Sequence, residues 1–307
     1  MTTTRALIDE GVERLRALGF ETPRLDTELL LAHAIGVERT AVVAHGEAPV
    51  GPGAEATFRA SLDRRAAGEP VAYIRGIKEF HGIALTVDPR ALIPRPETEH
   101  VVDLVLAEVM TRLTTPAGGA ANDGGPGAAL RVVDVGTGSG AIAIALAVAL
   151  RDRRVPPEEV EIAAVDVSED ALDLARENAV GHAVGDRIRF DVADLLPPES
   201  AARPWDVVAA NLPYVRSDAM AALPTPTTFE PAEALDGGPE GLAVIGRLLD
   251  ALPTGLASDG AAFVEIGADQ GAAIMALAGE RLPGWSCRVE TDLAGLPRTA
   301  VLRRGAA

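Results

Sequence analysis

The tightest constraint on this chain is a strand, a glycine-rich turn and a helix in direct succession: Arg131-Val132-Val133-Asp134-Val135, then Gly136-Thr137-Gly138-Ser139-Gly140, then the apolar run Ala141 to Leu150. A strand that feeds a helix through so short a turn belongs to a βαβ unit, because parallel strands need a crossover between them. The alternation continues. Glu161 to Val167 reads as a second strand and Glu169 to Val180 as a second helix, with further strands at Arg187 to Val192, Trp205 to Ala210, Ala261 to Ile266 and Arg298 to Leu302. This predicts an α/β fold with a doubly wound, mostly parallel sheet, whose ligands sit at the carboxyl ends of the strands.

The text upstream has another period. From Thr4 to about Gly68 apolar residues such as Leu7, Val12, Leu15 and Leu18, then Leu25 and Leu29, recur at helical spacings, broken by Pro23, Gly36 and the 48–53 stretch. A small helical domain over 1–70 is expected. Val71 to Val87 turns β-rich, which predicts a β-hairpin linker over 71–95, followed by the sheet domain over 96–307, opening with a helix from Glu97 to Leu113. Thr114 to Ala129 is too rich in glycine and proline to bury a core and reads as a mobile surface loop, dispensable for chemistry.

Composition narrows the function classes. A net charge of −17 opposes a broad phosphate-binding surface, so no direct nucleic-acid contact is expected. Cys287 is the only cysteine, which leaves no disulfide framework or thiolate metal site and suits a reducing, cytoplasmic setting. The five histidines show no ligand spacing, so no metal site is expected. Nor does any run approach the ~20 apolar residues that span a bilayer. A monomer is the expected state.

Gly136, Thr137, Gly138, Ser139 and Gly140 form a turn that lets a ligand approach the backbone closely, and with Ala141 it also fits a dinucleotide pattern. Asp166, ending the second strand, can accept both hydroxyls of a ribose; Ser168 is better placed than Asp166 to cap the following helix. Either a nicotinamide or another nucleoside cofactor satisfies these residues. Asp194 and Leu195 follow the third strand, where a carboxylate can accept from an exocyclic amine and a leucine can pack on an adenine ring; an ordinary loop acid is the alternative. Asn211-Leu212-Pro213-Tyr214 follows the fourth strand. An amide or aromatic amine is a poor nucleophile, and a site assists it by holding both N–H groups in fixed geometry. The Asn211 side-chain oxygen and the Leu212 carbonyl can accept those hydrogens, Pro213 stiffens the turn, and Tyr214 offers a ring face.

Taken together, Gly136 to Gly140, Asp166 and Asn211-x-Pro213-Tyr214 resemble amino-group methyltransferases that use S-adenosylmethionine. Ile93-Pro94-Arg95-Pro96-Glu97-Thr98-Glu99 is similar to a segment of the HemK/PrmC protein-glutamine methyltransferases, as are Glu79-Phe80-His81-Gly82, Phe229-Glu230-Pro231, Gly237-Gly238 and Glu265-Ile266-Gly267. The resemblance implies a Rossmann-like class I methyltransferase fold with an N-terminal helical domain that grips a protein substrate. It also implies methyl transfer from S-adenosylmethionine to the N5 side-chain amide of the Gly-Gly-Gln loop of peptide chain release factors. By it, Gly136 to Gly140, Asp166, Asp194, Leu195 and Asn211 bind the cofactor. Asn211, Pro213 and Tyr214 are catalytic, and Asn211 to Tyr214 with Arg95 and Glu97 meet the substrate. Three positions depart from the pattern: Leu212 replaces a proline of which only the carbonyl is used, His81 an aromatic residue, and Ala232 an arginine. The competing readings are a DNA or RNA adenine-N6 methyltransferase, which would need a basic track, and a non-catalytic S-adenosylmethionine-binding module.

Overall fold

The computed structural model describes residues 1–114 and 129–305. Almost all of the glycine- and proline-rich stretch 114–129 therefore lies outside the described residues. The chain divides into two compact units, Met1–Ile77 with Pro224–Phe229, and Lys78–Leu223 with Glu230–Ala307.

The first unit is helical: α1 (Thr4–Ala17), α2 (Pro23–Ile35), α3 (Arg39–Ala44), α4 (Pro52–Ala66) and α5 (Val71–Arg75). Leu7, Leu15, Leu30, Leu31, Phe58 and Leu62 are fully enclosed in its core. Each such side chain contributes roughly 1.5–3 kcal/mol on burial. Asp26 and Arg65 form a buried ion pair at 2.8 Å, and the Arg65 guanidinium also lies 4.2 Å over the Phe20 ring. One expectation is corrected here. Residues 71–75, whose β-branched and aromatic content suggested a strand, form a short helix. Gly76 ends it in the left-handed conformation, and burial of Tyr73 and Ile74 outweighs the local β preference.

A hairpin does follow, but only as β1 (Ile77–Phe80) and β2 (Ile83–Thr86), turning through His81 and Gly82. His81 is held there by its backbone N–H, which donates to Glu99 Oε1 at 3.0 Å, and by its ring Nε2, 2.9 Å from Asp103. A single 3₁₀ turn at Pro96–Thr98 then leads into α6 (Glu99–Thr114).

The rest of the second unit is β3 (Leu130–Val135), α7 (Ala141–Asp152), β4 (Val160–Asp166), α8 (Glu169–Gly181), β5 (Ile188–Val192), β6 (Trp205–Ala210), α9 (Ala243–Gly255), β7 (Leu256–Glu265), α10 (Gly271–Arg281), β8 (Trp285–Thr291) and β9 (Pro297–Arg304). The seven-stranded sheet has the order β5-β4-β3-β6-β7-β9-β8. It is parallel through β7, while β9 runs antiparallel to both β7 and β8. The closing pair is thus an antiparallel edge on a doubly wound sheet. Both faces are covered, with Val101, Val105, Ile144 and Leu146 packing from α6 and α7 on one side and Ile245, Leu248 and Ile274 from α9 and α10 on the other. β3 is buried along its whole length, which explains its unbroken apolar text. Strand order reverses between β3 and β6, and that reversal opens a crevice at their carboxyl ends.

Candidate active site

The turn after β3 runs with positive φ at Gly136, Gly138 and Gly140, a path that side chains with a Cβ rarely take. The N–H groups of Gly136 and Thr137 both donate to the Val165 carbonyl at 2.9 Å, which ties the turn to β4. Beneath it lies Asp134, 2% exposed. Its Oδ2 accepts from the Thr137 hydroxyl at 2.6 Å and from the Ala143 N–H at 3.1 Å, while Oδ1 is enclosed without a partner. Burial pushes this carboxyl up to about 7, against those two donors.

Asp166 ends β4 as expected. Its Oδ2 accepts from Gly138 N–H and its Oδ1 from Ser168 N–H, both at 2.9 Å. Burial raises its pKa and the backbone donors offset part of that rise. Each oxygen keeps a lone pair for a further donor. Ser168, not Asp166, caps α8, its hydroxyl accepting from Ala171 N–H at 3.2 Å.

These groups border a cavity of about 380 Å³, within the range of small-molecule sites. Residues 136–139 of the turn and Asp166 form one side of it; Asp194 and Leu195 form another, and Asn211, Leu212 and Pro213 a third. Arg95 also reaches it, whereas Gly140, Glu97 and Tyr214 are not among its walls. Gly140 is needed for packing: a Cβ there would stand 2.6 Å from Ile144. Asp194 pairs with Arg247 of α9, both well exposed, so solvent screening leaves that pair little weight. Leu195 has φ +69°, unusual for a leucine.

Asn211 is held from below. Its Nδ2 donates to Thr98 Oγ1 at 2.9 Å, which turns Oδ1 away from Thr98. Glu265 is a fully buried carboxyl at the end of β7 whose Oε1 accepts from the Tyr214 hydroxyl at 3.2 Å. Glu265 Oε2 is enclosed without a hydrogen-bond partner. Burial pushes Glu265 up to about 7, partly opposed by the Thr98 and Tyr214 hydroxyls. Burial likewise raises the Tyr214 phenol, with Glu265 adding to the rise. Half-buried Glu97 adds a weaker negative field at both groups.

The turn itself is braced by Gln270, whose Nε2 donates to the Tyr214 carbonyl at 3.0 Å. Gly237 sits so close that a Cβ would lie 2.6 Å from the Pro213 carbonyl oxygen. Leu212 is buried, and its Cδ2 stands 2.9 Å from where a Cβ on Gly136 would be. Arg95 donates to Glu230 Oε1 at 2.6 Å, and the same carboxylate accepts from Ile93 N–H at 3.0 Å. Arg95 is therefore neutralised by a buried partner while one third of its side chain stays exposed. Asp134 and the inward side of Thr98 were not singled out from the sequence. An acid inside the apolar strand Val132 to Val135 is the signal that marks Asp134.

Asp166 offers a carboxylate at the wall of the cavity, and Asn211 an amide oxygen that is not bonded to Thr98. Among the described residues, no group of three or more histidine, cysteine, aspartate or glutamate side chains is arranged to hold a metal ion, and no helix is long and apolar enough to cross a membrane.

Comparison with known proteins agrees with this geometry. The family described as PrmC N-terminal domain matches residues 6–76, and the family described as Methyltransferase domain matches residues 126–239. A release factor glutamine methyltransferase from Deinococcus radiodurans is 35% identical over 300 residues, 98% of each chain. Another, from Moorella thermoacetica, is 38% identical over 276 residues, 90% of this chain and 89% of the relative. Among solved structures, the hMettl16 catalytic domain in complex with MAT2A 3'UTR hairpin 1 superposes with a TM-score of 0.54 at 14% identity, covering 80% of this chain and 81% of that one. That likeness concerns the fold alone, the Rossmann-like class I methyltransferase arrangement expected from the strand order. With this sheet, this crevice and relatives matched along nearly their whole length, the chain belongs to the release factor glutamine methyltransferase family.

Proposed function

We propose that this protein transfers a methyl group from S-adenosylmethionine to the N5 amide nitrogen of the glutamine in the Gly-Gly-Gln loop of a peptide chain release factor. The observation that carries the reading is the Asn211 amide, oriented by Thr98 at the rim of a nucleoside-sized cavity. Asp166 would accept the ribose hydroxyls, residues 136–139 would lie along the amino-acid part, and Asp194 with Leu195 would border the adenine. When bound, the cofactor supplies an electrophilic methyl group on a sulfonium. The chain's own contribution is to hold the nucleophile. Asn211 Oδ1 and the Leu212 carbonyl accept the two amide hydrogens and aim the nitrogen lone pair, which is catalysis by orientation. No strong base is needed, because the nitrogen proton becomes acidic only after the bond to carbon forms.

Arg95 and Glu97 are proposed to shape the approach for the substrate loop, and the helical unit to grip the release factor. Tyr214 is proposed to act through its hydroxyl on Glu265 as well as through its ring. No metal, nucleic acid or membrane is required by this scheme, and a monomer working in the cytoplasm satisfies it. The test is methyl transfer from labelled S-adenosylmethionine to a purified release factor, beside a version whose Gly-Gly-Gln glutamine is alanine and beside nucleic acid. Label on the intact factor alone supports the reading. Equal label on the alanine version, or label on nucleic acid, refutes it and favours the adenine-N6 alternative.

A further inference from the structure

We propose that Gln270 is a positioning residue for the methyl acceptor, fixing the Leu212 carbonyl through the backbone of Tyr214. The proposal rests on the functional reading above and extends it to a side chain that is not among the walls of the cavity. Gln270 stands immediately before α10, 7% exposed, and its amide bonds three main-chain groups. Oε1 accepts from Gly267 N–H at 2.8 Å, while Nε2 donates to the Tyr214 carbonyl at 3.0 Å and to the Gly241 carbonyl at 3.3 Å. One main-chain donor and two main-chain acceptors call for one acceptor and two donors in return, the set that a side-chain amide carries. The partners also fix which way round the amide lies, because a main-chain N–H can only donate and a carbonyl can only accept.

These bonds join three separate segments: the loop after β7, the loop at 237–241 and the acceptor turn itself. Glycine makes room for two of the contacts. A Cβ on Gly241 would lie 2.5 Å from the Tyr214 oxygen and 2.7 Å from Gln270 Nε2, and one on Gly267 would lie 3.1 Å from Gln270 Oε1. So close a fit leaves the Tyr214 carbonyl little room to shift, and leaving it unpaired away from water would carry its desolvation cost. Between Tyr214 and Leu212 stands Pro213, whose ring fixes its φ, so a displacement of the one carbonyl is passed to the other. The two proposed acceptors of the substrate amide are thus held from opposite ends of the turn, Asn211 Oδ1 by the bond from Nδ2 to Thr98 and the Leu212 oxygen by the clamp on Tyr214.

The sequence offers a direct probe of the clamp. Of the two tyrosines only Tyr214 precedes a valine, so protein carrying carbonyl-¹³C tyrosine and ¹⁵N valine gives one coupled signal, that of the Tyr214 carbonyl with Val215 N–H. Gln270→Met removes all three bonds at similar volume. Gln270→Glu keeps the acceptor for Gly267 N–H and gives up one donor or both, and serves if the first variant does not fold. We expect Gln270→Met to bind S-adenosylhomocysteine and to keep its KM for the release factor within about 3-fold of the parent, while kcat falls by roughly tenfold or more, toward the ~10²-fold scale of a reacting group misplaced by about 1 Å. The Tyr214 carbonyl signal should shift in that variant. In Gln270→Glu kcat should follow the signal, lost where the signal moves and kept where it stays.

An unmoved Tyr214 signal in Gln270→Met, a moved signal with kcat unchanged, a kcat loss in Gln270→Glu with the signal in place, or a loss that falls on KM or cofactor affinity in place of kcat would each overturn the proposal. If the parent itself methylates no release factor, the functional reading falls and the proposal with it. An active parent beside Gln270 variants that keep their kcat removes the proposal alone.

Discussion

Asp134→Asn should stabilise the sheet unit increasingly as pH rises. The carboxyl is buried under the glycine turn, and its pKa is pushed from 3.8 to about 7, a rise of about 3 units. At about 1.36 kcal/mol per unit this corresponds to ~4 kcal/mol of penalty for burying the charge. The folded chain holds the proton more tightly than the unfolded chain. The parent is therefore unaffected by this group below pH 4, loses stability as pH climbs from 4 through about 7, and carries the whole penalty above that. Asparagine can still accept from Thr137 and Ala143 with its oxygen, and its NH₂ would occupy the place of Oδ1, which has no partner to lose. The variant has no charge to bury at any pH. Roughly half of the penalty, ~2 kcal/mol, builds up between pH 5.5 and 8.5, which at about 2–4 °C per kcal/mol predicts that the melting temperature of the variant gains 4–8 °C on the parent over that range. Calorimetry of both proteins without cofactor at several pH values measures it. Glu265 titrates in both proteins alike and cancels from the difference. A melting difference that stays flat, or that shrinks as pH rises, would show that Asp134 is ionised at ordinary cost and that burial does not govern it.

Other outcomes follow from single contacts. Asn211→Ala should remove most turnover and leave cofactor affinity largely intact, whereas Asp166→Ala should weaken cofactor binding first; titration calorimetry beside turnover separates the two, and equal loss of binding in both refutes the division. Glu230→Ala strips a buried acceptor from Arg95 and from Ile93 N–H, and should cost about 3 kcal/mol in urea unfolding of the second unit; a loss under 1 kcal/mol would show that water replaces the carboxylate. Gly237→Ala must displace the Pro213 carbonyl or the loop that carries residue 237, so it should lower kcat by tenfold or more with little change in cofactor affinity. Ser168→Ala removes the cap of α8 and should cost about 1 kcal/mol, read from the same unfolding curves.

The division between what was legible and what was not follows the range of each interaction. Strand β3, its glycine turn and α7 depend on neighbours in sequence: an apolar run buried on both faces, residues able to take positive φ, and a helix-period continuation. These are readable without a third dimension. So are the strand ends at Asp166 and Asn211, because parallel topology brings successive carboxyl ends to one sheet edge. Residues 71–75 misled because five residues carry too little periodicity to separate strand from helix, and the decision lay with the burial of Tyr73 and Ile74. The helix α9 and the strand β8 were passed over for a related reason, Pro253 interrupting the text of the one and no residue of the other being fully buried.

What the sequence by itself determined is the kind of fold and the kind of chemistry, since glycines, carboxylates and an asparagine amide carry their donor and acceptor identities wherever they stand. Only the tertiary structure decided which of them are free to act. It turned Arg95 toward Glu230, directed the Tyr214 hydroxyl to Glu265, and set Thr98, 113 positions away in the chain, beneath Asn211. Those assignments depend on the direction and burial of single hydrogen bonds between distant segments, which no local pattern encodes.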